Sequence, residues 1–420
     1  MPVPGSERRK LKLVVVAVVA VSAALVCACA DSAGPVSPDA LVVIQGAGQM
    51  GAAGVALPID PIVEVVDASG QPMPDVRVSF LVVAGNGIAI DTAVVTDANG
   101  RARTSWILGP STMEPHHLRA RANGVSVDIT AQATTPETGA TYVGRNGYVD
   151  YVVGDLPIVI TAPHGGTMQP AEIPDRTVGA TVRDANTDVL AQDISDAFAV
   201  ATGRRPHLIV LRLHRLKLDA NREILEAAAG HPLAERTWHE FQSFTEAALQ
   251  AVEERWGSGF YIDLHGHAHA IARLELGYRL TGDELALPDG ALNALADETS
   301  IRSLADRSPL LLTQLLRGAS SLGTLFELEG YPAVPSGQQP HPAGEPYFSG
   351  GYNTYRHGSS DGGTVDGVQI ECNFAGVRDT APNRAAFATA LARVFRMYFS
   401  THYDLDLDAL ETACLAGVCR

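Results

Sequence analysis

Three short stretches carry residue types that together could hold a metal and activate water. They are Ala162-Pro163-His164-Gly165-Gly166, Asp263-Leu264-His265-Gly266-His267 and Gln369-Ile370-Glu371. Each follows a short apolar run: PIVITA before His164, FYIDL before His265 and VQI before Glu371. Open α/β sheets gather catalytic groups at such strand ends. Two imidazoles and a carboxylate suit a borderline cation such as Zn2+, which for chemistry needs three protein ligands and one open position. A fourth stretch, Leu218-Asp219-Ala220-Asn221-Arg222, adds a cation able to hold a substrate carboxylate.

The elements that would position these groups are legible around them. Apolar spacing predicts helices over Thr187 to Gly203, Leu233 to Trp256 and Asn383 to Phe399. Short apolar runs lie between them: PIVITA, HLIVLRL, GFYIDLH, LELGYRL and GVQIE. Strands alternating with helices imply an α/β sheet covered on both faces. The Gly- and Pro-rich stretch 330–367 is expected to supply loops at the site, with Gly350, Gly351, Tyr352 and His357 over the pocket.

Residues 39–134 read differently. Seven strand-like runs (ALVVIQ, PIVEVVD, VRVSFLVV, IDTAVVTD, RARTSWIL, HLRARA and VSVDITAQA) are separated by DASGQP, GNG, DANG and NG. That spacing describes an all-β sandwich. It holds no titratable cluster suited to catalysis. Residues 29–38 and 135–141 read as linkers on either side of it, and 401–420 as a C-terminal tail.

At 420 residues, two domains are expected. Apolar content of 46% with 19% charged residues is globular composition. The formal net charge of −16 excludes a nucleic-acid binder, which needs clustered Lys and Arg. Residues 1–28 read as a signal peptide: Arg8, Arg9, Lys10 and Lys12, then the apolar run Leu13 to Val26, too short to span a bilayer comfortably. Val26-Cys27-Ala28-Cys29 resembles the lipobox of bacterial lipoproteins. That resemblance implies lipidation of Cys29 and anchoring to a membrane of the cell envelope. Cys414 and Cys419 are spaced to close a small loop by a disulfide in an oxidising compartment, and Cys372 is expected as a buried free thiol.

Two further resemblances enter on these motifs. Asp67 to Phe80 (DASGQPMPDVRVSF) and Thr96-Asp97-Ala98-Asn99-Gly100 resemble a bacterial immunoglobulin-like domain of the invasin and intimin kind. In that family such modules serve as stalks or adhesive spacers. Residues 142–400 resemble the N-formylglutamate amidohydrolase family through APHGG, RLHRLKLDANR, DLHGH, RGASSLG, SGGYNTYRHG and VQIE, in that order. The resemblance implies a three-layer α/β domain with a mixed sheet, like that of zinc carboxypeptidases, and an amide hydrolase.

It implies His164 and His265 as metal ligands, with His265 preferred over His267 and Asp263 a carboxylate that orients an imidazole. Zinc carboxypeptidases place an acid three residues after the first histidine. Thr167 stands there, so the acidic ligand is expected from Asp184 or, as alternative, Asp188, at the start of a helix with Thr187 as N-cap. Glu371 matches the general acid/base, Asn221 and Arg222 match a pair that grips a substrate carboxylate, and Arg215 or Arg212 could serve the oxyanion. Export argues for an N-acyl amino acid, a γ-glutamyl polymer or a cell-wall peptide as substrate. A carboxypeptidase-like peptidase and a non-catalytic adhesin with a lapsed hydrolase domain are the alternatives.

Overall fold

The computed structural model describes residues 37–410. The signal segment, Cys29 and the Cys414–Cys419 pair lie outside the described residues. Among the described residues, no helix is long and apolar enough to cross a membrane.

The first ten strands are β1 (Ala40–Gln45), β2 (Gln49–Ala52), β3 (Ile62–Val66), β4 (Arg77–Ala84) and β5 (Ile88–Ala89), then β6 (Ala93–Val95), β7 (Arg101–Arg103), β8 (Trp106–Ile107), β9 (Pro115–Ala122) and β10 (Val125–Thr134). A three-stranded sheet, β1-β3-β7, and a five-stranded one, β2-β10-β9-β4-β6, share one core with a short β5-β8 pair. Period-two alternation drives the packing. In β4, Val78 and Phe80 point inward while Arg77, Ser79 and Leu81 face out. Val63, Val65, Trp106, Leu118 and Ile129 complete the core.

Two expected strands are broken in the structure. RARTSWIL divides at Thr104–Ser105 into β7 and β8, and IDTAVVTD keeps only Ala93–Val95 as a named strand. β2 was not anticipated: its sequence, QMGA, has no alternation, and it is a strand because it pairs parallel to β10. The expected linker 135–141 is tied down at its end. Gly139 donates to the Val153 carbonyl, Val153 donates to Ala140, and Thr141 already opens a strand.

The remaining chain forms β11 (Thr141–Val143), β12 (Val149–Val152), β13 (Ile158–Ala162), β14 (His207–Leu211), β15 (Gly259–His267), β16 (Leu274–Gly277), β17 (Ala333–Val334) and β18 (Val365–Asn373). They make one eight-stranded sheet in the order β11-β12-β14-β13-β15-β18-β16-β17. It is mixed: β14, β13, β15 and β18 run parallel, whereas β12 and β16 join antiparallel. The helices are α1 (Thr187–Thr202), α2 (Ile224–Ala228), α3 (Pro232–Trp256), a group α4 (Gly282–Leu285), α5 (Asp289–Asn293), α6 (Arg302–Arg307), α7 (Leu312–Arg317) and α8 (Leu322–Leu328), then α9 (Tyr352–His357) and α10 (Ala381–His402).

The three long helices fall where their apolar spacing predicts. α1 and α10 pack on one face of the sheet through Leu190, Ile194, Phe198, Phe387, Leu391 and Phe395. α3 packs on the other through Phe241, Phe244, Ala248 and Val252. The central strands are therefore buried on both faces, which explains their continuous apolar runs. Thr187 is not the N-cap of α1. Asn186 takes that position in the left-handed region, with φ 68°, while the Thr187 hydroxyl donates back to the Asp184 carbonyl. Cys372 is a buried free thiol, its pKa pushed by burial up to about 12.

Candidate metal centre

His164 stands two residues past the end of β13, and His265 lies within the adjacent parallel strand β15, where Asp263 pairs with Thr161. The loop after His164 turns on Gly165 and Gly166. A side chain at Gly165 would collide with the Asp188 backbone, and one at Gly166 with the Arg212 carbonyl. Only glycine lets this loop pass so close.

The two imidazole rings meet edge to face with centroids 4.7 Å apart. Each is held through Nε2 by a buried carboxylate: His164 to Asp219 Oδ1 at 2.6 Å, His265 to Asp263 Oδ2 at 2.8 Å. Their Nδ1 atoms face the same Asp184 oxygen, 3.4 Å from His164 and 3.2 Å from His265. When Nε2–H donates to a carboxylate, the neutral ring keeps its lone pair on Nδ1. The His164 Nδ1 is buried with no hydrogen-bond partner. A buried polar atom left alone is costly and calls for an explanation.

A bound cation would supply one. The ligand atoms of His164, Asp184 and His265 lie within 4.8 Å of one another. Tetrahedral bonds of 2.0–2.1 Å put neighbouring ligand atoms about 3.3 Å apart, close to the two separations found. Charge agrees. Asp184, Asp219 and Asp263 converge on two imidazoles and two guanidinium groups: Arg215 is bound to Asp219 Oδ2 at 2.9 Å and lies 3.6 Å from Asp184 Oδ1, and Arg176 lies 3.9 Å from Asp219 Oδ2. Burial alone would raise the Asp184 carboxyl, but the neighbouring His164 and His265 imidazoles outweigh it and hold the pKa well below the usual range. Burial disfavours positive charge on His265, yet Asp263 and Asp184 overcome that and raise its pKa. The cluster is thus built to hold positive charge. The residues fit a metal with two nitrogens and one carboxylate oxygen.

Glu371 is brought beside the centre by sheet register. It sits opposite His265 across the β15–β18 pair and opposite Glu275 across β18–β16. Paired residues on neighbouring strands share a face. Gln369 donates to Glu371 Oε1 at 2.9 Å, while Oε2 is buried without a partner. Burial, reinforced by Asp184 and Glu275, pushes the Glu371 pKa up to about 8. A carboxyl poised near neutrality suits proton transfer.

The cavity over these groups holds about 130 Å³, and Arg215, Asn221, Arg222, Phe348, Gly350 and Gly351 complete its wall. Arg222 is half-exposed at the mouth, its guanidinium on the Asn221 carbonyl at 2.9 Å and 3.4 Å from Glu226. Asn221 Oδ1 accepts from the Asn353 backbone at 2.8 Å, and its Nδ2 lies 3.2 Å from His265 Nε2.

Several alternatives separate cleanly. Asp188 faces away, into a cleft of about 360 Å³ beside Thr167 and Arg212, and Arg212 pairs there with Asp150. His267 accepts the His269 backbone N–H at Nδ1 and donates to the Arg273 carbonyl through Nε2, so neither nitrogen is free. His269 and Glu275 stand next to it, but they form a pair of their own at 2.9 Å. His357 does not face the pocket; it is buried and bonded to Gln242 Oε1 at 2.7 Å. Asp219, Gln369, Asn353 and Phe348 were not given roles by the sequence. Asp219 lies within RLHRLKLDANR, four residues after Arg215, but nothing local marks its contact with a distant histidine.

No family model matches this chain, and no curated protein matches it. Among solved structures, N-formylglutamate amidohydrolase from Ralstonia eutropha JMP134 aligns over 59% of this chain and 94% of its own, at 14% identity and TM-score 0.35. Gene product Atu2144 from Agrobacterium tumefaciens aligns over 60% and 94%, also at 14% identity and TM-score 0.35. The Yersinia pseudotuberculosis adhesin InvE aligns over 28% of this chain and 40% of its own, at 18% identity and TM-score 0.20.

Proposed function

We propose that the chain is a zinc-dependent amidohydrolase that cleaves a C–N amide bond in a substrate bearing a carboxylate. The observation that carries this reading is the geometry of the two imidazoles. Each is backed by its own buried carboxylate, and both turn Nδ1 towards Asp184 beside an unpartnered oxygen of Glu371. His164, Asp184 and His265 would hold the ion, and the donor set of nitrogen and carboxylate oxygen suits zinc. When bound, such an ion supplies Lewis acidity and makes water acidic near neutral pH.

The chain's own residues do the rest. Glu371 Oε2 takes a proton from the attacking water and returns it to the leaving nitrogen. Asp219 and Asp263 fix the two ring tautomers. Arg215, locked on Asp219 and Asp184, places positive charge beside the atoms where negative charge develops. Arg222 at the mouth receives the substrate carboxylate. The N-terminal segment would deliver the enzyme to the cell envelope, tethered through lipidated Cys29, where N-acyl amino acids, γ-glutamyl chains and cell-wall peptides are the accessible amides.

The test is metal analysis of the purified full chain, with hydrolysis of N-acyl amino acids and γ-linked peptides. One equivalent of zinc is expected, with activity lost on chelation and restored by zinc, and Glu371→Gln as the blank. A protein that takes up no zinc and cleaves none of these amides would be the adhesin alternative.

A further inference from the structure

Helix α3 is enclosed by three partners. One stripe, Phe241, Phe244, Ala248 and Val252, packs on the sheet. A second, Glu240, Ser243 and Ala247, meets the β-sandwich. Ala247 is part of the sandwich core, and a Cβ at Gly54 would lie 2.5 Å from the Ser243 carbonyl. Glu240 Oε1 accepts the Arg145 backbone N–H at 2.9 Å, and the Arg145 guanidinium spans to Asp60 at 2.9 Å and the Leu57 carbonyl at 3.2 Å. The third stripe serves the site. Trp238 Nε1 donates to the Arg222 carbonyl at 2.9 Å. Gln242 Nε2 donates to the Ala220 carbonyl at 3.0 Å and Asn353 Oδ1 at 3.2 Å. At 3.6 residues per turn the three stripes point in different directions round the helix.

The contacts continue inward. Asn353 binds Asn221 through its backbone N–H, and its amide lies 3.4 Å from Asp263, the carboxylate that holds His265. A spacer module needs none of this. It would meet the catalytic part through a linker, not through the core of one of its helices.

We infer that the N-terminal sandwich is a positioning element of the site. It fixes α3, and Gln242 and Trp238 pass that constraint to residues 220–222 and to Asn353. The role does not depend on which metal or amide the site takes, although its kinetic consequence rests on the proposed hydrolysis.

Hydrogen exchange on the full chain, read by mass spectrometry, tests it. Ala247→Glu puts a carboxylate into the sandwich contact, and Arg145→Ala removes the bridge to Asp60 without touching either core. Both are expected to speed exchange at 54–58 and, at least tenfold for Ala247→Glu, at 219–222 and 351–357, while 207–211 stays protected. Gln242→Ala should speed only the site segments. For a cleaved amide, Gln242→Ala and Ala247→Glu should raise KM about tenfold with kcat within twofold, a split that general destabilisation does not produce. Unchanged exchange at 219–222 and 351–357 in both Ala247→Glu and Arg145→Ala overturns the inference, whatever Gln242→Ala does. If Ala247→Glu does not fold, Arg145→Ala decides. Wild-type protein that binds no zinc sinks the proposed function but leaves the exchange result standing.

Discussion

Asp219 Oδ1 lies 2.6 Å from His164 Nε2, and this contact turns the other ring nitrogen towards Asp184. The same carboxylate receives Arg215 through its second oxygen and the Asn221 backbone N–H through its first. Asp219 therefore aligns a ligand, a cation and the start of the segment that carries Arg222. Burial would raise its pKa, but the charge and hydrogen bond of His164 and the Arg215 guanidinium hold it well below the carboxylate range.

Asp219→Asn keeps the size and shape of the side chain but removes its charge. We expect zinc affinity to fall about 10- to 100-fold, the loss typical of a partner that orients a ligand. Competition with a chromogenic chelator measures it. Affinity equal to wild type would mean that Asp219 does not orient His164.

Glu371→Gln should separate binding from turnover. The amide occupies the same pocket and can still pair with Gln369, yet it cannot accept a proton at Oε2. Turnover should drop about 10²- to 10⁴-fold, with zinc content unchanged. Activity near that of wild type would assign the proton shuttle elsewhere.

Arg222 should control substrate affinity. A charged hydrogen bond contributes about 1.5–3 kcal/mol, so Arg222→Ala should raise KM roughly 10- to 100-fold with little change in kcat. Arg222→Lys should recover part of the loss, because a point charge lacks the fork that fits a carboxylate. Comparing a substrate with its carboxamide analogue gives the control: the variant should no longer discriminate between them.

The fold itself should weaken in acid through two buried histidines. Burial drives the pKa of His207, hydrogen-bonded to Tyr151, down to about 3, and that of His357, bonded to Gln242, likewise to about 3. Unfolded, each would titrate near 6.5. Below that pH the unfolded chain binds protons that the folded chain refuses. Stability is therefore fully present above about pH 6.5 and is lost as pH falls towards 3, at about 1.4 kcal/mol per pH unit for each ring. Urea unfolding of the chelated protein at several pH values should show a shallower slope for His207→Gln with His357→Gln. Parallel slopes would exclude these two rings as the cause.

Local pattern was enough to read the strands and helices that frame the centre. PIVITA, GFYIDLH and GVQIE announce buried parallel strands, and the spacings in α1, α3 and α10 announce helices, because side-chain period follows directly from backbone geometry. The same pattern placed His164, His265 and Glu371 at or beside those strands. It left open the choice between Asp184 and Asp188, and between Arg215 and Arg212, since each pair lies within four residues on one segment. Tertiary structure sets them apart in space: the left-handed turn at Asn186 sends Asp184 towards His265 and leaves Asp188 on the cleft with Arg212. Asp219, Asn353 and Gln242 gained their roles only through contacts with residues far away in the chain. The sandwich's grip on α3 is likewise invisible locally, because Ala247 and Gly54 are ordinary small residues until two surfaces meet.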